Sequence, residues 1–137
     1  MKSLHNPFII IAVAILLLFP SCRRTSDNGK IDGLWRIDTI EYFEPGQTPS
    51  TIHPEGFLIA VQLELLQLDN QNPVATAIIS YSKGDKSIGL DFPYNPDPEL
   101  LRKFGIMENP CVLQIETLNS RHLVLASSSS RVRCTRF

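Results

Sequence analysis

Residues 111–137 read CVLQIETLNSRHLVLASSSSRVRCTRF, and this stretch decides the fold. Apolar and polar residues alternate in three runs, Cys111–Thr117, Arg121–Ser127 and Arg131–Phe137, with the period of half-buried strands. Cys111, Leu113 and Ile115 fall on one face of the first run, Leu123 and Leu125 on one face of the second, Val132 and Cys134 on one face of the third. The links Leu118-Asn119-Ser120 and Ser128-Ser129 are hairpin-sized. Three consecutive strands joined in this way form an antiparallel meander.

The alternation continues upstream. Gly33–Phe43 (GLWRIDTIEYF) puts Trp35, Ile37, Thr39 and Phe43 on one side and Arg36, Asp38, Ile40 and Tyr42 on the other. Glu44–Glu55 holds three prolines and a glycine and reads as loop. Phe57–Leu68 places Phe57, Ile59, Val61, Leu63 and Leu65 opposite Ala60, Gln62 and Glu64. Its leucines also suit a helix, but the alternation, Gly56 and the turn at Asp69–Pro73 favour a strand. Val74–Ser82 and Ser87–Phe92 flank Lys83-Gly84-Asp85-Lys86, a hairpin signal. Asn95-Pro96-Asp97-Pro98 then stops the sheet. Asp97 can cap a short helix at about 98–104, with Pro98 at its first position and Gly105 at its end. Leu100, Leu101 and Phe104 share a face that should cover one opening or side of the sheet.

The 137 residues carry 13 Lys+Arg against 14 Asp+Glu, a net charge of −1, which excludes a general nucleic-acid binder. At 43% hydrophobic the chain can bury a core, and three cysteines are too few for a disulfide scaffold. The elements sum to seven strands and one short helix, an all-β chain. A meander of seven or eight strands closes into a small up-and-down antiparallel barrel, because closure removes the edges. Seven strictly alternating strands leave the first and last parallel. Either a further strand lies in 44–55, or Phe57–Leu68 is broken, or the barrel is incompletely closed.

The N-terminus reads as a targeting segment. Phe8–Phe19 is a run of twelve apolar residues, too short to span a bilayer and right for an export signal. It ends at Pro20-Ser21-Cys22, which resembles the lipobox of bacterial lipoproteins. Residues 1–21 are therefore expected to be a lipoprotein signal peptide, Cys22 the lipid-attachment residue, 22–30 a polar tether and 31–137 the barrel domain. The competing reading is a secreted protein in which Cys22 is a spare thiol. Arg23 and Arg24 stand where surface-exported lipoproteins carry an acidic run, which favours a periplasm-facing anchor over surface exposure. The membrane, through the N-terminal lipid, is the expected partner.

Gly33-Leu34-Trp35 at the first strand resembles the Gly-x-Trp signature of lipocalins and their calycin relatives. In those proteins a basic residue of the last strand packs over the Trp and plugs the closed end; here Arg131, Arg133 and Arg136 are available. By parity with Val132 and Cys134, Arg136 should point inward over Trp35, with Arg131 and Arg133 outward. From about 31 to 137 the chain is similar to uncharacterised lipocalin-like lipoproteins of Gram-negative gut anaerobes. The resemblance implies a barrel and a structural signature of Gly33, Trp35 and Arg136; it leaves the ligand-binding residues unassigned.

Catalytic constellations are not visible. His53 and His122 stand apart from other ligands, so no metal site is expected, and no cofactor. Asp38, Glu41 and Glu44 read as a solvated outer face before they read as paired catalytic carboxylates. Pairing Cys134 with Leu123, and Leu123 with Ile115, separates Cys111 from Cys134, so two buried thiols are expected. Nucleophile-elbow, phosphate-loop, dinucleotide and Cys-x-x-Cys motifs are absent. Three function classes remain. One is a lipid-anchored barrel binding a small apolar ligand. The second is a packed-interior interaction protein, an inhibitor or envelope-assembly subunit acting through its loops. The third, an enzyme, is disfavoured. A filled interior separates the first two, since ligand pockets run to about 300–1,000 Å³.

Overall fold

In the computed structural model, which describes residues 28–137, the run Phe57–Leu68 is two strands and not one. The strands are β1 (Gly33–Tyr42), β2 (Ser50–Ile52), β3 (Phe57–Gln62), β4 (Leu65–Asn70), β5 (Asn72–Ser80), β6 (Ser87–Asp91), β7 (Cys111–Leu118), β8 (His122–Ala126) and β9 (Ser130–Arg136). A short helix, α1 (Pro98–Arg102), interrupts the meander between β6 and β7. β1 and β3 to β9 pair in sequence order, all antiparallel, and β9 returns to β1. Eight strands therefore close the barrel, and β2 hangs on β1 as a ninth.

The parity problem is solved at Leu63-Glu64. Gln62 pairs with Leu65, and Leu63 takes a left-handed φ of 54° to make the turn. Glycine or asparagine normally supplies that conformation, so the turn carries no composition signal. The two-residue turn inverts the facing. Leu63 and Leu65, expected on the same face as Phe57, Ile59 and Val61, are 57% and 49% exposed, while Leu66 and Leu68 point into the core. The loop 44–55 does hold an extra strand, β2, but it lies outside the closed ring.

β1 corrects a second expectation. Its pairing with β9 slips by one residue between Ile37 and Thr39. This bulge keeps Trp35 and Ile37 inside but brings in Ile40 in place of Thr39. Tyr42 follows Ile40 and packs half-buried against the core. The Thr39 hydroxyl is left buried without a hydrogen-bond partner among the described residues. A second slip, between Ile115 and Thr117 in β7, sets Leu123 opposite Leu118 and Ile115 opposite Leu125, not Leu123 opposite Ile115. Leu123 does face Cys134.

Asp97 caps α1, its carboxylate accepting from the Glu99 amide at 3.0 Å, with Pro98 in the first turn. The helix stops at Arg102, and a turn carries Phe104 and Ile106 inward with Leu101, all three at most 3% exposed. Leu100 is 39% exposed and takes no part in this face, a departure from the expected trio. At the other end, Asn28–Lys30 belong to the fold and not to the tether. Asn28 Nδ2 donates to the Leu63 carbonyl at 2.7 Å and to the Asp32 carboxylate at 2.7 Å. The expected signal peptide 1–21, Cys22 and the expected tether up to residue 27 lie outside the described residues.

Candidate functional site

The barrel has two differently built ends. The N-terminal end, here the closed end, gathers the start of β1, the end of β9 and the turns at 62–65, 82–86 and 118–122. Trp35 is fully buried, and its indole Nε1 donates to the Ile31 carbonyl at 2.9 Å. The Arg136 guanidinium carbon sits 4.1 Å from the Trp35 ring centroid, a cation–π stack. The same fork donates to three carbonyls: Ser120 at 2.8 Å, Asp32 at 2.9 Å and Lys30 at 2.5 Å. It ties the last strand, the 118–122 turn and the N-terminal turn into one lid. Gly33 is part of this device. Its φ of +131° disfavours a side chain, and a Cβ there would collide with Arg136 Nη1. Arg133 and Arg131 point outward.

The opposite end, the mouth, is plugged by α1 and the turn after it. Phe104 stacks on Phe57 with ring centroids 4.6 Å apart. The buried Ser130 hydroxyl donates to the Gly105 carbonyl at 2.6 Å. The Tyr42 hydroxyl donates to the Arg102 carbonyl, and burial of that phenol raises its pKa. Arg102 Nη2 pairs with Glu44 at 2.7 Å. Gly105 has a φ of +80°, and a Cβ there would lie 2.5 Å from Val132 Cγ2 and 3.2 Å from Ile40 Cγ2. The plug thus seats against the wall because residue 105 has no side chain.

Between the ends the barrel is full. Trp35, Ile37, Ile40, Ile59, Leu66, Leu68, Ile88, Leu90, Phe92, Leu123 and Leu125 are each 0–2% exposed. A side chain lining a water-sized void would present surface to it, and these present almost none. Of the residues that the alternation placed on the apolar strand faces, Phe57 and Ile115 are half-buried and Leu63 is exposed. Clefts occur at the rims. One of about 390 Å³ lies beside α1, lined by Pro98, Leu101, Ile106, Met107, Glu108 and others. Another, of about 340 Å³, lies at the closed end.

A family model for the lipocalin-like domain matches residues 15–137. The chain belongs to the lipocalin-like family. Its barrel is similar to that of a lipocalin-like protein from Bacteroides uniformis ATCC 8492, with TM-score 0.56 and 19% identity over 80% of this chain and 100% of the other. It is also similar to an uncharacterized protein from Bacteroides eggerthii DSM 20697, with TM-score 0.52 and 13% identity over 77% of this chain and 98% of the other. At such identities the likeness concerns the fold. No curated protein matches the sequence.

The lipocalin-like barrel disperses the groups that could have made a catalytic set. Glu41 and Glu116 both pair with Arg131 on the outer face, at 3.0 and 2.9 Å, and Arg133 adds a weaker contact to Glu41 at 3.4 Å. Hydrogen bonds from Arg131 hold both carboxyls below their ordinary range. Asp38 pairs with Arg36 at 3.2 Å and accepts from the Thr135 hydroxyl, and Glu44 is at the mouth with Arg102. Cys111 and Cys134 are free and buried, and burial pushes their thiols up to about 11 and about 12. Thiols so protonated are poor nucleophiles. His53 and His122 are exposed, and among the described residues no three His, Cys, Asp or Glu converge for a metal. The fastenings of the plug, Tyr42, Ser130 and the Arg102–Glu44 pair, escaped the sequence reading. Each joins residues at least 25 positions apart, and only Gly105 gave a local signal.

Proposed function

We propose that this chain is a lipid-anchored barrel of the bacterial envelope, facing the periplasm, that works as a non-enzymatic interaction module through its rims and outer face. The observation that carries this reading is the filled and twice-closed interior. An eight-stranded barrel can either pack its axis with side chains or hold one small ligand. Here the side chains along the axis are almost completely buried, and α1 stands in the mouth. The apolar run Phe8–Phe19 ending at Ser21-Cys22 supports the anchor, and the Arg23-Arg24 pair supports the periplasmic side.

Native mass spectrometry of the mature protein with extracted envelope lipids tests the filled interior. The bare mass is expected. A retained apolar molecule released only by unfolding would overturn it. The cleft of about 390 Å³ beside α1 favours one second reading, a small apolar ligand held at the mouth. In that case Met107→Glu, on the cleft wall, abolishes capture without unfolding the barrel. The anchor has its own test: Cys22→Ser should release the protein from membranes, and continued fractionation with the envelope would sink that part.

A further inference from the structure

The two ends of the barrel differ in charge as well as in construction. The closed end carries Lys30, Lys83, Lys86, Arg121 and Arg136 against Asp32, Glu64 and Asp85. Two of those carboxylates are engaged locally. Asp32 accepts from Asn28, and Asp85 accepts from the Ser82 amide at 2.8 Å. The mouth has the opposite balance, with Glu44, Glu55, Asp97, Glu99 and Glu108 against Arg102 and Lys103.

Apolar surface is exposed at the same basic end. Leu63 and Leu65, at the tip of the β3–β4 hairpin, are 57% and 49% exposed, and Ile78, paired with Leu65, is 48% exposed. Leu63 holds a left-handed φ of 54° that bulky side chains rarely adopt, and its side chain stands in water. Beside this tip, Lys30, Lys83 and Lys86 rim the cleft of about 340 Å³, with Ile115 and Leu118 among its apolar walls. Cations around an apolar notch, next to protruding leucines, match an anionic amphiphile surface.

The chain enters the fold here. Asn28 is fixed to the Leu63 carbonyl, so the hairpin tip and the entry point adjoin. Six peptide steps separate Cys22 from Asn28, a reach of about 20 Å at full extension. We propose that the closed end lies on the membrane: Leu63 and Leu65 enter the headgroup region of a bilayer, and Lys30, Lys83 and Lys86 contact its anionic phospholipid headgroups. The mouth and its plug then point away from the membrane. This orientation rests on the lipid anchor proposed above, and the sequence between Cys22 and Asn28 includes Arg23 and Arg24.

The test uses the mature chain with Cys22→Ser, which cannot be acylated, so the surface is measured apart from the anchor. Sedimentation with phosphatidylethanolamine–phosphatidylglycerol vesicles at low salt should retain it, and phosphatidylcholine vesicles should retain far less. A lysine near an anionic surface is worth about fivefold in partitioning, so Lys83→Gln/Lys86→Gln should weaken binding on the order of 25-fold. Leu63→Asn keeps a residue suited to the left-handed turn and should also reduce retention. Circular dichroism confirms that each variant is folded. No retention on anionic vesicles, or equal retention by the lysine variant, overturns the proposal even if Cys22 is lipidated. Failure of the anchor is read separately, from the lipidation state of wild-type Cys22.

Discussion

Arg136→Ala should be among the most damaging changes to a half-exposed residue of this barrel. Three contributions are lost. The stack over Trp35, at 4.1 Å, is worth about 0.5–1 kcal/mol in a partly solvated setting. The three donations to Ser120, Asp32 and Lys30 are charge-assisted. Water can replace part of them, which brings their joint worth to about 1.5–2 kcal/mol. The sum is about 2–3 kcal/mol, or a fall of about 8–12 °C in Tm at roughly 4 °C per kcal/mol. Trp35 is the one tryptophan in the sequence, so its fluorescence reports directly on this site during urea unfolding. Arg136→Lys keeps a cation over the indole but loses the fork, and should fall about halfway. Arg133→Ala is the control. It lies three residues earlier on the same strand, faces solvent and has only the 3.4 Å contact to Glu41, so about 0–1 kcal/mol is expected. If Arg136→Ala matches Arg133→Ala, the guanidinium is not what locks the closed end, and the account of Gly33 falls with it.

Gly105→Ala should destabilise by about 2–4 kcal/mol in thermal unfolding, combining left-handed strain with the clash on Val132 and Ile40. An unchanged Tm would mean that the plug shifts freely. Thr39→Val removes a buried unpaired hydroxyl at nearly constant shape and should stabilise by about 1 kcal/mol in urea titrations; a loss would reveal a partner for that hydroxyl. Cys111 and Cys134 should resist alkylation at pH 8 until the barrel unfolds, with Cys111, the more exposed, reacting first. Their native values lie above the unfolded thiol value. The native state therefore holds protons that the unfolded chain releases, and stability should fall as pH rises from about 9 towards 11–12. The opposite sign holds for Glu41 and Glu116. Their lowered values give stability present above the unfolded glutamate range and lost as pH falls through it, and Arg131→Ala should flatten that acid limb in pH-dependent Tm measurements.

Much of the barrel is written in local pattern. The alternation in 111–137 and the short links between its runs fix a meander, because period-two burial and a link of a few residues permit little else. Asp97-Pro98 announces the helix through chemistry that acts within one turn, and the structure shows the cap bond. Gly33, Trp35 and Arg136 could be picked out by motif and parity. Their common purpose is a three-dimensional fact, since the guanidinium needs the space left by Gly33 and carbonyls from two distant turns.

Where the sequence misled, the cause was a register event without a composition signal. Leu63-Glu64 turns a chain that reads as one unbroken strand, and the bulges at Asp38 and Glu116 each shift pairing by one residue. A one-residue slip exchanges the inward and outward sets, so Ile40 replaced Thr39 inside and Leu63 went out to solvent. Such slips are chosen by the best global packing of eight strands around a common axis, a long-range property that no window of sequence contains. Asp97-Pro98 and the apolar face of α1 showed that the helix must cover an opening or a side, but which of the two, and the contrast of charge between the two ends, lay beyond local reading. Each depends on which turns closure brings together, and closure is decided by the pairing of β1 with β9 across nearly the whole length of the domain.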